Sequence, residues 1–295
     1  MASAATTGST GIPEFLCTAC SSPIPSNKRD CVVCGTDNGC PNVRQAEGSV
    51  EKTALAERLA DAEVSANARG CLDILKKFGV AVLSSSAVMA RSLAVLDSLV
   101  KSDKSLYIPF YKQVSSGARI PEDNDWDLGR TAADSTVMPH YFEEISFAAL
   151  SLDLVGLTAY GAYSIILKEQ AIALRASVFE ENPFIFNRRH RIIAGEACTP
   201  GYRATWRQRH VLAKAKLQSL LNSGTTPDQF AGILLSPKGA GTGDPDYIEV
   251  HIFGDIHRRA IERVIGPKPK HRVDRAILKS IEKALVEVGA SLEVR

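Results

Sequence analysis

The sequence predicts an α+β fold in three parts, on three observations. Five of the seven cysteines fall between Cys17 and Cys40, residues 50–103 repeat apolar positions at helical spacing, and beyond Ser105 short β-rich runs alternate with helical ones. With 45% hydrophobic and 23% charged residues, the chain has the composition of a globular protein able to bury a full core.

Residues 1–14 are small and polar and are expected to form a disordered leader; Met1 to Gly11 lack the basic start and apolar stretch of a signal peptide. The longest apolar runs, such as Phe78 to Leu83 and Ile145 to Leu152, fall well short of the roughly 20 residues that span a bilayer, so no membrane partner is expected. A formal charge of +2 carries no whole-chain sign of nucleic-acid binding, and any basic patch must be local. An odd number of cysteines, clustered at one end, points to metal rather than disulfides and to a reducing, cytoplasmic setting.

Residues 15–45 have Pro, Gly, Ser and Cys where a hydrophobic period would stand, so burial alone cannot hold them. Cys17-x-x-Cys20 and Cys31-x-x-Cys34, ten residues apart, supply two knuckles of two thiolates each, which together complete a tetrahedral zinc ribbon. Four thiolates leave no open coordination position, so this zinc is structural. A redox pair is the plainer alternative. Cys40 competes with Cys34 as ligand, and Cys71 and Cys198 read as buried hydrophobes.

Residues 50–103 are expected to be a helical connector: one helix over Glu51 to Lys77, weakened at Gly70, and a second over Ser86 to Lys101. In the remaining part, 105–295, strands are expected near Tyr107 to Tyr111, Ile145 to Ser151, Gly161 to Leu167 and Tyr247 to Phe253. Helices are expected over Ala132 to Phe142, Ala204 to Leu221 and Arg272 to Val288, and a flexible loop over Gly239 to Pro245. Alternation from Tyr247 puts Glu249, His251 and Phe253 on one face and Ile248, Val250 and Ile252 on the other, which sets a mid-strand carboxylate against an apolar face. A Gly turn and a short amphipathic helix through Val264 are expected to follow. Gly161 would let a ligand approach the backbone, with Tyr160 beside it.

Ile248-Glu-Val-His-Ile-Phe-Gly-Asp-Ile256, followed by Ala260-Ile-Glu-Arg-Val264, resembles the late strand of the ADP-ribosyltransferase fold, most nearly its DarT-like and abortive-infection branches. Leu106-Tyr-Ile-Pro-Phe-Tyr111 resembles the strand that precedes the arginine holding the NAD phosphates, and Ser146-Phe-Ala148 with Tyr160-Gly161 resembles the strands lining the nicotinamide pocket. The similarity runs from Tyr107 to Val264. It implies an α+β ADP-ribosyltransferase-like domain that uses NAD as substrate, with Glu249 and Arg119 as catalytic residues and Tyr107, Arg130, Ser146, Tyr160 and Gly161 at the cofactor. Arg130 competes with Arg119 for the phosphate role.

The resemblance implies transfer of ADP-ribose to a nucleic acid or protein acceptor, in the setting of a toxin or defence effector. Arg188, Arg189, Arg191, Arg203, Arg207 and Arg209 are candidate phosphate contacts, or else ordinary surface charge. Two other classes compete. A zinc-ribbon adaptor without enzymatic activity requires that no pocket join Glu249 to Arg119 and Tyr160. A metal-dependent nuclease would use Glu180, Glu181 and His190.

Overall fold

A computed structural model describes residues 15–118, 125–193, 195–237 and 244–295. The expected leader, Arg119, and residues 239–243 of the expected flexible loop lie outside these described residues. The hairpin β1 (Phe15–Leu16) and β2 (Pro23–Ile24) opens the cysteine-rich part, and α1 (Pro41–Glu47) follows it with Pro41 in its first turn. Next come α2 (Ser49–Ala68) and α3 (Leu72–Leu83), separated at Gly70, whose φ of +69° suits glycine. The single helix expected over 51–77 is therefore two.

The second expected helix, 86–101, begins as a strand. Ser86–Arg91 forms β3, Ser92 caps α4 (Leu93–Val100) by accepting the Val95 amide, and the segment expected to be a helical connector thus supplies a strand to the sheet. Ala87, Met89, Leu96 and Leu99 all enter the main core, and such an apolar run does not distinguish a helical from an extended period. Of the strand expected at 107–111, only β4 (Leu106–Tyr107) is extended; after Pro109 the chain turns into α5 (Phe110–Ser115).

The helix α6 (Asp125–Val137) starts before the expected 132–142 and ends before it. The expected strands at 145–151 and 161–167 are β5 (Ile145–Ser151) and β6 (Tyr163–Leu167). Then come α7 (Glu169–Ile172), β7 (Ala176–Phe179) and α8 (Pro183–His190). Of the helix expected over 204–221, Ala204 and Thr205 belong to β8 (Arg203–Thr205) and only α9 (Arg209–Leu217) is α-helical. After α10 (Phe230–Leu234) and β9 (Leu235–Ser236), the chain forms β10 (Asp246–Tyr247) and β11 (Glu249–Phe253). In place of the expected amphipathic helix it continues as β12 (Ile256–His257), one 3-10 turn, and β13 (Ile261–Gly266), where Ile261, Val264 and Ile265 are buried between two neighbouring strands. The last elements are α11 (Arg272–Val286), as expected, and β14 (Ser291–Val294).

Eight of these strands form one sheet in the order β14-β13-β6-β3-β5-β11-β7-β8, antiparallel throughout except for β13 beside β14. On one face, Met89, Leu150, Ile165, Val178, Val250 and Val264 pack against apolar residues of α3, α4, α9 and α11. Each Leu, Ile or Phe buried there contributes roughly 1.5–3 kcal/mol relative to exposure. The opposite face carries a smaller core where Val137 of α6, Met138 just after it and Phe186 of α8 cover Ile145 and Phe179.

One break in the sheet creates the site. Strand β3 pairs with β5 only over Ser86–Val88, while Met89, Ala90 and Arg91 pair with β6 and Ile145–Ala148 pair with β11. Beyond Val88 and Ala149 the two strands part, and the sheet opens along its middle.

Candidate functional sites

The four thiols Cys17, Cys20, Cys31 and Cys34 lie with their sulfurs within 4.8 Å of one another. Each pair sits on a turn of the same design: the Ala19 and Val33 amides point at the Cys17 and Cys31 sulfurs at 3.4 Å. The Cys17–Cys34 and Cys20–Cys31 sulfur distances are 3.5 and 3.6 Å. A tetrahedron with metal–sulfur bonds of about 2.3 Å has edges of about 3.8 Å, so the donor set fits a structural tetrahedral metal site. The Cys20 backbone, ahead of other hydrogen bonds, holds the Cys17 thiol down to about 6. Cys31 moves upward: the Cys34 backbone bond works against this, but burial and the side chains of Cys20 and Cys34 prevail. Cys40 stands apart as the buried residue before α1 and is not in the cluster.

The cysteine module is fastened to the sheet. Arg44 donates to the Gly39 and Lys28 carbonyls. Asn42 Nδ2 lies 2.9–3.1 Å from the Arg175 carbonyl, the Ser177 hydroxyl and the His251 carbonyl. The last of these belongs to the strand that carries Glu249.

A cavity of about 610 Å³ occupies the split between β3 and β5, a size typical of pockets that enclose small organic ligands, roughly 300–1,000 Å³. Glu249 lies at its inner wall, 4% exposed, as the first residue of β11 with Ala149 and Phe179 beside it. Strand alternation sets Tyr247, Glu249 and His251 in a row on one face. The Tyr247 hydroxyl donates to Oε1 at 3.1 Å, and His251 Nε2 faces Oε2 at 3.1 Å. The His251 ring is in turn held edge-on by Phe147 and stacked by Phe179. Burial first, then the Glu249 charge, raises the Tyr247 phenol well above its ordinary range, so it remains a donor.

Arg130 reaches the cavity from α6. Gly129 makes this approach possible, because a Cβ there would lie 2.4 Å from the Phe184 ring of α8. The guanidinium lies 4.6 Å from the ring centres of both Phe110 and Phe147, and its Nε is 3.1 Å from Asp134 Oδ2. Tyr111 donates to the same carboxylate at 2.8 Å. Burial opposes the Arg130 cation, yet the charges of Asp134 and Glu249 outweigh it and hold its pKa above the ordinary value. Burial raises Asp134 while Arg130 opposes. A neutral Asp134 would leave a buried guanidinium unpaired, so we take the pair as ionised.

Other expected residues meet the cavity differently. Tyr107 lines it and receives Arg91 Nε on its hydroxyl at 3.0 Å. Tyr160, half exposed, stands at the rim in a 3-10 turn. Gly161 has a different function from the one expected: at its φ of +144°, a Cβ would lie 2.0 Å from the Arg91 carbonyl carbon, so the close approach is by the end of β3, not by a ligand. Ser146 lines the cavity, but its hydroxyl donates to the Gly254 carbonyl at 3.0 Å.

Phe147 lines the cavity within the Ser146-Phe-Ala148 run, as the resemblance implies, whereas Arg91, Asp134 and Asn182 line it without having been expected there. Arg91 was hidden by reading β3 as helix; Ser92, a natural N-cap, was the available signal that a helix begins only after it. Asp134 stands four residues after Arg130 on one helix face, a spacing legible in advance. The nuclease candidates do not converge on one ion. Glu180 pairs with Arg58 at 2.6 Å, Glu181 with Arg189 at 2.9 Å, and the His190 ring packs on Phe186 and Tyr202. Two of the arginines expected at the surface are buried: Arg203 pairs with Glu51, and Arg209 donates to the Trp206 carbonyl.

Among the described residues no helix is long and apolar enough to cross a membrane. Neither a family model nor a curated protein matches the chain.

Proposed function

We propose that the protein is an NAD-dependent ADP-ribosyltransferase acting on a macromolecule, with an ADP-ribosyltransferase-like domain and a structural zinc ion held by Cys17, Cys20, Cys31 and Cys34. One observation carries this reading: Arg130, Tyr160 and Glu249, which come from three separate segments of the chain, line one cavity in a split sheet.

The chemistry suits these groups. Breaking the nicotinamide–ribose bond develops positive charge on the ribose, and a carboxylate already fixed in place stabilises that charge without reorganising. Tyr247 and His251 fix Glu249 by one contact on each oxygen. Arg91 and Arg130 give the cavity two guanidinium groups for a pyrophosphate. Tyr160 at the rim offers a face to an aromatic ring. The adaptor reading requires that no pocket join Glu249 to Arg119 and Tyr160; Arg119 lies outside the described residues, and the cavity shared by Glu249 and Tyr160 favours the enzyme.

The test is incubation of wild type and Glu249→Gln with labelled NAD, offering protein, DNA and RNA acceptors and recording both transfer and nicotinamide release. Loss of both in the variant is expected; no NAD consumption by folded, metal-loaded wild type would favour the adaptor.

A further inference from the structure

The C-terminal segment carries a second feature, unrelated to the cavity's chemistry. Lys268, Lys270, Arg272, Arg275, Lys279 and Lys283 are all exposed. At 3.6 residues per turn, the four on α11 fall within roughly 80° of arc and run about 16 Å along the helix. Asp274 lies round the far side and Glu282 borders the stripe, yet neither pairs with a stripe cation within the described residues. The nearby carboxylates are engaged elsewhere: Glu287 by Arg258 at 3.2 Å, and Glu293 by Arg295 at 2.7 Å and Arg263 at 3.6 Å. For a chain of net charge +2, six cations without an ion pair in sixteen residues is a strong local concentration.

Lys283 stands in the last turn of α11, where a cation is favoured, but two of the others are placed against the helix dipole, with Asp274 the acid of the first turn. Arg272 and Arg275 occupy the first turn of α11, where the macrodipole repels cations and attracts anions. Arg275 Nη1 donates to the Pro269 carbonyl at 3.4 Å and also bonds the Lys270 carbonyl, which fixes the Lys268–Lys270 turn against the stripe. A stripe of this length and charge suits an extended polyanion. Insertion into lipid is closed to the stripe, since the apolar side of α11, Leu278, Ile281 and Leu285, is buried in the core, so a membrane could hold it by surface charge alone. Unpaired bases fit poorly, because Gly266 to Arg295 contains no Phe, Tyr or Trp on which to stack.

We propose that the face formed by Lys268, Lys270, Arg272, Arg275, Lys279 and Lys283 binds the phosphate backbone of double-stranded nucleic acid without reading its sequence. The turn that opens the face is tied to the sheet: Tyr163, the strand partner of Arg91, donates its hydroxyl to the Pro267 carbonyl at 3.1 Å. Binding here does not depend on the reaction proposed for the cavity.

The experiment is fluorescence anisotropy of the full chain with a labelled duplex of about 20 base pairs, its unpaired strand, and anionic phosphatidylserine vesicles as competitor. Engagement of about four phosphates predicts that the duplex Kd rises roughly 100-fold between about 50 and 200 mM salt. The variant Lys268→Glu/Lys270→Glu/Lys279→Glu/Lys283→Glu should lose at least about 100-fold in affinity and flatten the salt dependence, and the matching Lys→Gln variant should lose about tenfold. Both variants alter exposed side chains, and circular dichroism is the check that they fold. No duplex binding by wild type at low salt, undiminished binding by either variant, equal binding of the unpaired strand, or displacement of the duplex by vesicles would each overturn the proposal.

Discussion

The cysteine module and the split sheet hold their functional groups by opposite means. In the first, four ligands within eighteen residues of chain meet through two tight turns, and a metal would supply the binding energy that a hydrophobic core does not. In the second, the groups come from β3, α6, β5 and β11, and the surrounding fold positions them. A local site is set by spacing and depends on its ion. A distributed site depends on every element that reaches it.

The largest effect should come from removing a metal ligand. Structural zinc sites contribute about 10–16 kcal/mol of apparent binding free energy, so Cys17→Ser or Cys31→Ser should abolish metal binding and unfold the module. The sheet, with its own core, should still unfold cooperatively. Metal analysis with limited proteolysis reads both: cleavage confined to residues 15–40 keeps the two regions distinct, whereas collapse of the whole chain would merge them.

Within the distributed site, Gly161→Ala should cost about 4 kcal/mol, because the new Cβ meets the Arg91 backbone and the backbone conformation disfavours any side chain. Denaturant unfolding measures this, and a near-neutral result would mean that the Tyr160 turn does not press on the end of β3. Arg130→Ala should cost about 3 kcal/mol by leaving the buried Asp134 carboxylate with Tyr111 but without its cation, and Arg130→Met with Asp134→Leu should recover most of it. Failure of the double variant to recover stability would show that the pair is not the reason for the loss.

The smallest effect concerns the edge of the site. Burial raises the Glu181 carboxyl to about 7 despite Arg189. A carboxyl raised in the folded state costs nothing below its unfolded pKa of about 4.3 and progressively more as pH climbs towards the folded value. Glu181→Gln should therefore stabilise the protein by about 1–3 kcal/mol near pH 8 and leave it unchanged near pH 4. Thermal unfolding across pH checks this; a gain at acid pH alone would reverse the sign and refute it.

The same contrast governs what could be read from the sequence. Ligand spacing made the cysteine cluster legible because its geometry is local. Strand β11 was legible because Ile248, Val250 and Ile252 alternate with Tyr247, Glu249 and His251. Strand β3 was not, since its buried apolar run fits either period, and Arg91 was lost with it. The split itself has no local signature: whether β3 leaves β5 after Val88 depends on β6, β11 and the Gly161 turn. Asp134 was available from its helical spacing to Arg130, but its meaning depended on the aromatic pair Phe110 and Phe147, which only the fold brings together.

The central claim is that the split between β3 and β5 is where NAD binds, and it is tested most directly by calorimetric titration of NAD into wild type, Glu249→Gln and Ala159→Trp. Ala159 is an exposed residue on the cavity rim, so tryptophan there fills the entrance without entering the core. NAD should bind wild type and Glu249→Gln with similar affinity and Ala159→Trp at least about tenfold more weakly, a loss of about 1.4 kcal/mol. No binding to wild type, or undiminished binding to Ala159→Trp, would contradict it.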